Sequence, residues 1–271
     1  MANVIPMAGV GSRFTKSGYR LPKALIPVSG RPMIVQVIKT LPKADKWIFI
    51  VREEHITDYA IDRLIKGEVP NAIIVSVKET TEGQASTCAL ALSHLKPEEP
   101  MFIAACDNSF LYDAKKYQSL VDDPSVDAIM WTFTKHPSLS QHPQSWGWVK
   151  LGTDGITIED MSVKVPVSTT PFNDHAVVAT FYFRHARDFK EAYELMVKEN
   201  YRISGEFYVD SMPIFYKKLG KRSVIFDVDL YVGWGKPEDL YLYQEWEYRV
   251  AVGLGADEPE FSKWRDFIQA L

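Results

Sequence analysis

Ile5-Pro6-Met7-Ala8-Gly9-Val10-Gly11-Ser12-Arg13-Phe14-Thr15-Lys16-Ser17-Gly18-Tyr19-Arg20-Leu21-Pro22-Lys23 is the stretch from which the rest of the chain is read. It leaves a short apolar run, Asn3–Pro6, that reads as a buried strand. In α/β sheets, ligands collect beyond the carboxyl ends of strands, so a loop at this point is placed to hold one. Gly9 and Gly11 let the backbone approach an anion and turn N–H groups toward it. Arg13 adds a planar fork for phosphate oxygens and Lys23 a compact charge, with Lys16 a further cation.

Outward from this loop the pattern is β-α-β-α-β-α-β. Trp47–Val51, Ala72–Val77 and Met101–Cys106 continue the strands, and Met33–Leu41, Ile56–Ile65 and Gln84–Leu95 read as the helices between them. Such alternation implies a largely parallel sheet covered on both faces. The spacing then changes. Asp127–Thr134, Gly147–Leu151, Ile156–Val165, Ala176–Arg184 and Val224–Val228 read as strands. Ala186–Glu199, Met212–Leu219, Glu238–Val250 and Pro259–Leu271 read as helices. The predicted fold is α/β, a Rossmann-like three-layer sandwich with a mixed, mainly parallel central sheet. A single domain over 1–271 is expected, its first half at 1–125 carrying the phosphate loop and its second half at 126–271 ending in helices.

Composition narrows the function. With 31 basic and 35 acidic residues the net charge is −4, so there is no basic excess for nucleic acid or a membrane surface. No apolar run is long enough to span a bilayer, and the start lacks the basic n-region of a signal peptide. Two cysteines, Cys88 and Cys106, fit a reducing compartment, and a cytoplasmic location is expected.

Three phosphate-loop patterns compete for the first stretch. The Walker loop fails at Thr15, which stands where a Gly should precede Lys16-Ser17, and the dinucleotide fingerprint fails at Phe14. Both also want a long helix directly after the loop, which Gly18, Pro22 and Pro27 forbid. The third pattern, Gly-x-Gly-Ser/Thr-Arg, a spacer, then Pro-Lys, is met by Gly9, Gly11, Ser12, Arg13, Pro22 and Lys23. On these residues the chain resembles the sugar-phosphate nucleotidyltransferases (nucleotide-sugar pyrophosphorylases) of GT-A-like fold, closest to a bacterial branch serving surface-polysaccharide pathways. Pro22 to Met33, Thr81-Glu82-Gly83-Gln84, Gly205-Glu206-Phe207-Tyr208-Val209 and Gly235-Lys236-Pro237-Glu238-Asp239-Leu240 extend the resemblance along most of the chain.

That resemblance implies an enzyme that joins an NTP to a phosphorylated small-molecule acceptor, a sugar 1-phosphate first of all, and releases pyrophosphate. It implies Arg13 and Lys23 as catalytic cations. Ala8, Gly9, Gly11, Ser12, Thr81, Gly83 and Gln84 would hold the nucleotide, and Lys164 and Glu206 the acceptor. Asp107, at the end of a central strand, would hold Mg²⁺. The family's second metal-binding Asp falls at Gly233 here, and Asp229 is the nearest substitute, with Asp227 behind it. Val163 and Val165 also alter the family's sequence around Lys164. Cytidylyl transfer to a non-sugar phosphate, such as phosphocholine or a phosphorylated amide, therefore stays open, as does a non-catalytic nucleotide-binding regulator. No nucleic-acid or membrane partner is expected, and self-association into a homo-oligomer is left open.

Some residues admit a plainer reading. Thr81 could cap a helix instead of touching a base. Cys106 suits a small buried filler. His136 and His142 lie in a Pro/Ser/Gln-rich loop without zinc spacing, and Trp131, Trp146 and Trp148 read as core and cross-strand packing.

Overall fold

The structure, a computed structural model, describes residues 1–271. In chain order the strands are β1 (Ala2–Met7), β2 (Pro27–Val28), β3 (Arg31–Pro32), β4 (Lys46–Arg52), β5 (Ile73–Val77), β6 (Met101–Ala104), β7 (Asn108–Leu111), β8 (Ala128–Phe133), β9 (Gly147–Leu151), β10 (Ile158–Val163), β11 (His175–Phe183), β12 (Ser223–Asp227) and β13 (Leu230–Gly233). The helices are α1 (Ser12–Lys16), α2 (Met33–Thr40), α3 (Glu53–Tyr59), α4 (Ile61–Glu68), α5 (Gln84–Ala89), α6 (Ala114–Asp122), α7 (Pro137–Gln141), α8 (Ala186–Lys198), α9 (Met212–Lys218), α10 (Pro237–Val252) and α11 (Phe261–Ala270).

Nine strands form one sheet. Its parallel core is β6-β1-β4-β5, with Ile5 opposite Phe49 and Val4 opposite Ile103. The long strand β11 runs antiparallel to β6 and carries β8 and, on its first residues, β9. The mixed sheet agrees with the predicted class.

Side chains along each strand alternate between two cores, as the period of two requires. Ile5, Phe49, Phe102 and Trp131 face one layer, with α2, α4, α10 and α11 over it. Val4, Ile48, Ile103 and Met130 face the other, under α5, α8 and α9. Helix α6 starts where the Asp113 carboxylate accepts hydrogen bonds from Lys115 N–H and Lys116 N–H at 2.9 and 3.1 Å. Helix α10 opens on Pro237, with Glu238 and Asp239 in its first turn, and stops at Gly253 in the left-handed region.

Three expectations about elements are corrected. The single helix expected over Ile56–Ile65 is two, α3 and α4, because Ala60 takes φ 50° and turns the chain between them. The helix expected to Leu95 tightens into a 3₁₀ turn at Leu90. The antiparallel ribbon β7·β13 was not foreseen, since four-residue strands show too little periodicity.

Candidate active site

Two clefts meet above the carboxyl ends of β1 and β6. The first, of about 390 Å³, is lined by Ala8, Gly9, Lys23, His55, Thr81, Gly83, Gln84, Cys106, Asp107, Glu206 and Tyr208, among others. The second, of about 200 Å³, is lined by Arg13, Asn108, Trp146, Gly147, Asp210, Tyr231, Gly235, Lys236 and Asp239. Gln84, Asp107, Ala179 and Tyr208 belong to both. Ala179 stands at a positive φ of 56°, where the register of β11 slips, and its carbonyl accepts from Ala105 N–H at 3.2 Å. That kink in β11 borders the junction of the clefts.

The phosphate loop is built around Phe14. Its buried ring meets Tyr19 edge-on at 5.0 Å and pins the short helix α1, which Gly18 ends. Gly11 takes φ 62°, and a Cβ there would lie 3.3 Å from Lys23 Cβ, so glycine lets the loop close on the lysine. Pro22 then opens a 3₁₀ turn that buries Ala24 and turns Lys23 inward. Lys23 Nζ donates to Asp107 Oδ2 at 2.6 Å. Burial alone would depress the Lys23 ammonium, but the Asp107 carboxylate holds it above its usual range. Ser12 and Arg13 are exposed on α1, and Arg13 lies on the side of the second cleft.

The Thr81–Gln84 turn is tied to the Gly205–Val209 motif. Phe207 N–H donates to Glu82 carbonyl at 2.8 Å and Ala85 N–H to Phe207 carbonyl at 3.0 Å. Gly83 has φ 125°, and a Cβ there would sit 2.6 Å from the Phe207 backbone. Glycine at 83 thus permits the docking of two motifs that lie far apart in sequence. The cap of α5 is Gly83, and the Thr81 hydroxyl turns back to the Gly83 carbonyl at 3.0 Å and Thr87 Oγ1 at 2.6 Å. Thr81 is therefore not the helix cap.

Several expected placements change. Asp229 lies in the turn between β12 and β13, beside Leu111, whereas Gly233 pairs with Asn108. Asp229 lies four residues before Gly233, roughly 13 Å along the strand, so it is removed from Asp107. Asp227 is engaged by Thr132 Oγ1 at 2.7 Å and His175 Nδ1 at 2.9 Å. At Gly233 the space for a side chain is taken by the Tyr231 hydroxyl, 2.9 Å from where a Cβ would be. Asp239, in the first turn of α10, shares the second cleft with Asp107 and lies within reach of its charge. Burial raises the Asp239 carboxyl, Lys236 pulls it down, and the facing Asp107 charge raises it further. Two carboxylates that repel each other fit a divalent cation. Mg²⁺ needs only one or two of them, its other ligands being water and phosphate. No group of three or more His, Cys, Asp or Glu side chains is placed to hold a metal ion by itself.

Glu206 lines the first cleft, beside Lys23 and Gly83, not the second. Lys164 lines neither. Its φ is 68°, its ammonium donates to Ser204 Oγ at 3.0 Å, and it covers the Tyr208 ring at 5.2 Å, so it stands behind Tyr208. Trp131 and Trp148 are core residues, while Trp146 instead walls the second cleft under Lys236. His136 caps α7, and burial followed by the nearby Lys236 lowers its imidazole to about 4. Cys106 is buried on the floor of the first cleft, and burial pushes its thiol up to about 11.

Sequence reasoning missed His55, Asp210, Lys236 and Asp239 as lining residues. His55 could have been suspected, since it follows the carboxyl end of β4, which neighbours β1. Nothing local marks Asp210.

The sequence matches the MobA-like NTP transferase domain over residues 3–147, and the chain belongs to that family of NTP transferases. No curated protein matches it. Among solved structures it resembles the nucleoside-diphosphate-sugar pyrophosphorylase from Vibrio cholerae RC9, with TM-score 0.70 and 20% identity over 88% of this chain and 98% of that one. It also resembles the inositol-1-phosphate CTP transferase from T. maritima, with TM-score 0.66 and 15% identity over 88% and 90%. A UDP-glucose pyrophosphorylase complexed with UDP-glucose gives TM-score 0.65 and 15% identity over 92% and 98%. At these identities the likeness is one of fold.

Proposed function

We propose that the chain transfers a nucleotidyl group from an NTP to a phosphorylated small molecule, a sugar 1-phosphate, and releases pyrophosphate. The observation that carries this reading is the Lys23–Asp107 pair at 2.6 Å, set where the two clefts join. The first cleft, with the glycine loop and the Thr81–Gln84 turn, takes the NTP. The second takes the acceptor, with its phosphate turned toward the junction.

An acceptor phosphate oxygen attacks the α-phosphorus. The new P–O bond forms in line as the bond to the β-phosphate oxygen breaks, and pyrophosphate leaves with that electron pair. A phosphate monoester has its second pKa at about 6, so it is already an anion at neutral pH and needs no general base. The protein's part is alignment and neutralisation of charge. Lys23 bridges the α-phosphate and the attacking phosphate, and Arg13 offers its fork from the acceptor side. Asp107, with Asp239, would hold Mg²⁺, which when bound draws charge from the phosphate oxygens. Lys164 acts through Tyr208, whose ring it covers.

The test is pyrophosphate release measured over a matrix of the four NTPs and a set of phosphate monoesters. Release with a hexose 1-phosphate is expected. Release only with a non-sugar phosphate would overturn the sugar assignment in favour of the second reading, cytidylyl transfer, which the likeness to a CTP transferase supports. Binding of NTP without pyrophosphate from any acceptor would instead point to a nucleotide-binding regulator.

A further inference from the structure

Asp210 is 9% exposed, lines the second cleft, and its carboxylate meets no hydrogen-bond donor beyond its own backbone N–H. The fold makes room for it. A Cβ at Gly147 would lie 2.3 Å from Asp210 Oδ2, so glycine on β9 leaves this carboxylate its place. Asn108 lines the same cleft and is 6% exposed. Its amide nitrogen donates to Val178 carbonyl at 2.8 Å, while its Oδ1 has no partner. Buried acceptors without donors are rare, because each forfeits its hydration with no bond in return. Asn108 Oδ1 is one such acceptor, and beside it in the same cleft stands a carboxylate served only by its own backbone N–H, so the pair calls for a ligand that brings donors.

The surroundings decide which donors. A cationic headgroup would need open aromatic faces or a negative field. Here Lys164 lies over Tyr208 at 5.2 Å and Lys236 over Trp146 at 5.8 Å, while Tyr231 is stacked on Phe133 at 4.3 Å. The aromatic walls already have their partners, and the other carboxylates of the cleft, Asp107 and Asp239, already face Lys23 and Lys236, which offsets the field a further cation would need. Neutral hydroxyls meet neither obstacle.

We infer that Asp210, seated by Gly147 and helped by Asn108, is the specificity-determining residue for the acceptor, receiving hydrogen bonds from hydroxyls of a polyol ring. This rests on the transferase reading for the position of the acceptor phosphate at the junction. The carboxylate can accept from two neighbouring hydroxyls at once, a geometry that separates a ring polyol from a simple phosphate ester.

Binding tests the inference separately from turnover. With a non-hydrolysable NTP analogue present, glucose 1-phosphate, inositol 1-phosphate, phosphocholine and methyl phosphate are titrated by calorimetry into the native chain, Asp210→Asn and Asp210→Ala. At least one polyol ester should bind the native chain roughly ten- to hundred-fold more tightly than methyl phosphate, the range for hydrogen bonds to a charged group. Both variants should lose most of that preference while binding methyl phosphate and the analogue as before. The inference is overturned if the polyol preference survives both substitutions, if no polyol ester outbinds methyl phosphate, or if phosphocholine is preferred. A polyol preference that depends on Asp210, without pyrophosphate release from any acceptor, would sink the transferase reading and leave the Asp210 assignment standing.

Discussion

Asp210→Asn should make the protein more stable at neutral and alkaline pH. The native carboxyl is raised by burial from its ordinary 3.8 to about 6. Between those values the folded state holds a proton that the unfolded chain releases, so stability falls as pH rises through this window. Above it the whole cost is present. At 1.36 kcal/mol per pH unit, the gap amounts to about 3 kcal/mol. A neutral amide of the same shape escapes that cost, so about 3 kcal/mol is the ceiling of the gain. Urea unfolding followed by tryptophan fluorescence would show it as a midpoint raised by up to about 1 M near pH 8. The difference between variant and native chain should shrink as pH is lowered through 6 toward 4. A variant no more stable than the native chain near pH 8 would refute the reasoning, as would a difference that does not change with pH. A substitution that stabilises the fold while weakening acceptor binding is the mark of a group retained for its chemistry.

Lys23→Ala and Asp107→Ala should each cut kcat/KM at least about tenfold, toward the ~3 kcal/mol typical of losing one group at the transferring centre. Pyrophosphate release alongside circular dichroism would read this, and near-native activity in a folded variant would remove its assigned role. Gly83→Ala should destabilise by more than about 2 kcal/mol in urea, because a Cβ would press on the Phe207 backbone and φ 125° is strained for alanine. Asp229→Asn should leave both activity and its Mg²⁺ dependence unchanged, whereas Asp239→Asn should raise the Mg²⁺ concentration needed for half-maximal rate. A rate that falls sharply with the Asp229 variant would contradict the ribbon register.

The phosphate loop was legible because its information is local. Two glycines, an arginine and a Pro-Lys step lie within one short stretch after one strand, and their order sufficed to discard two rival patterns at Thr15 and Phe14. The strands and the two faces of the sheet were legible for a similar reason, since side-chain alternation is written along each segment. The division of Ile56–Ile65 was not, because a left-handed Ala60 leaves no compositional trace.

The carboxylate proposed to join Asp107 at Mg²⁺ shows where such reading ends. Asp229 was the nearest acidic residue in sequence to the family's metal position, whereas Asp239 is the one that shares a cleft with Asp107 and feels its charge. The choice depends on the register of β7 against β13, which carries Asp229 away from the site, and on the turn at Gly235 that brings the first turn of α10 over Asp107. Glu206 likewise falls in the cleft of the glycine loop, because Gly83 allows the two backbones to join. From its sequence alone the chain read as an α/β protein with a triphosphate-type loop. The partners of that loop, Asp239, Asp210 and His55 among them, were settled only by tertiary structure, because long-range strand register and a kink in β11 decide which distant side chains share a cleft.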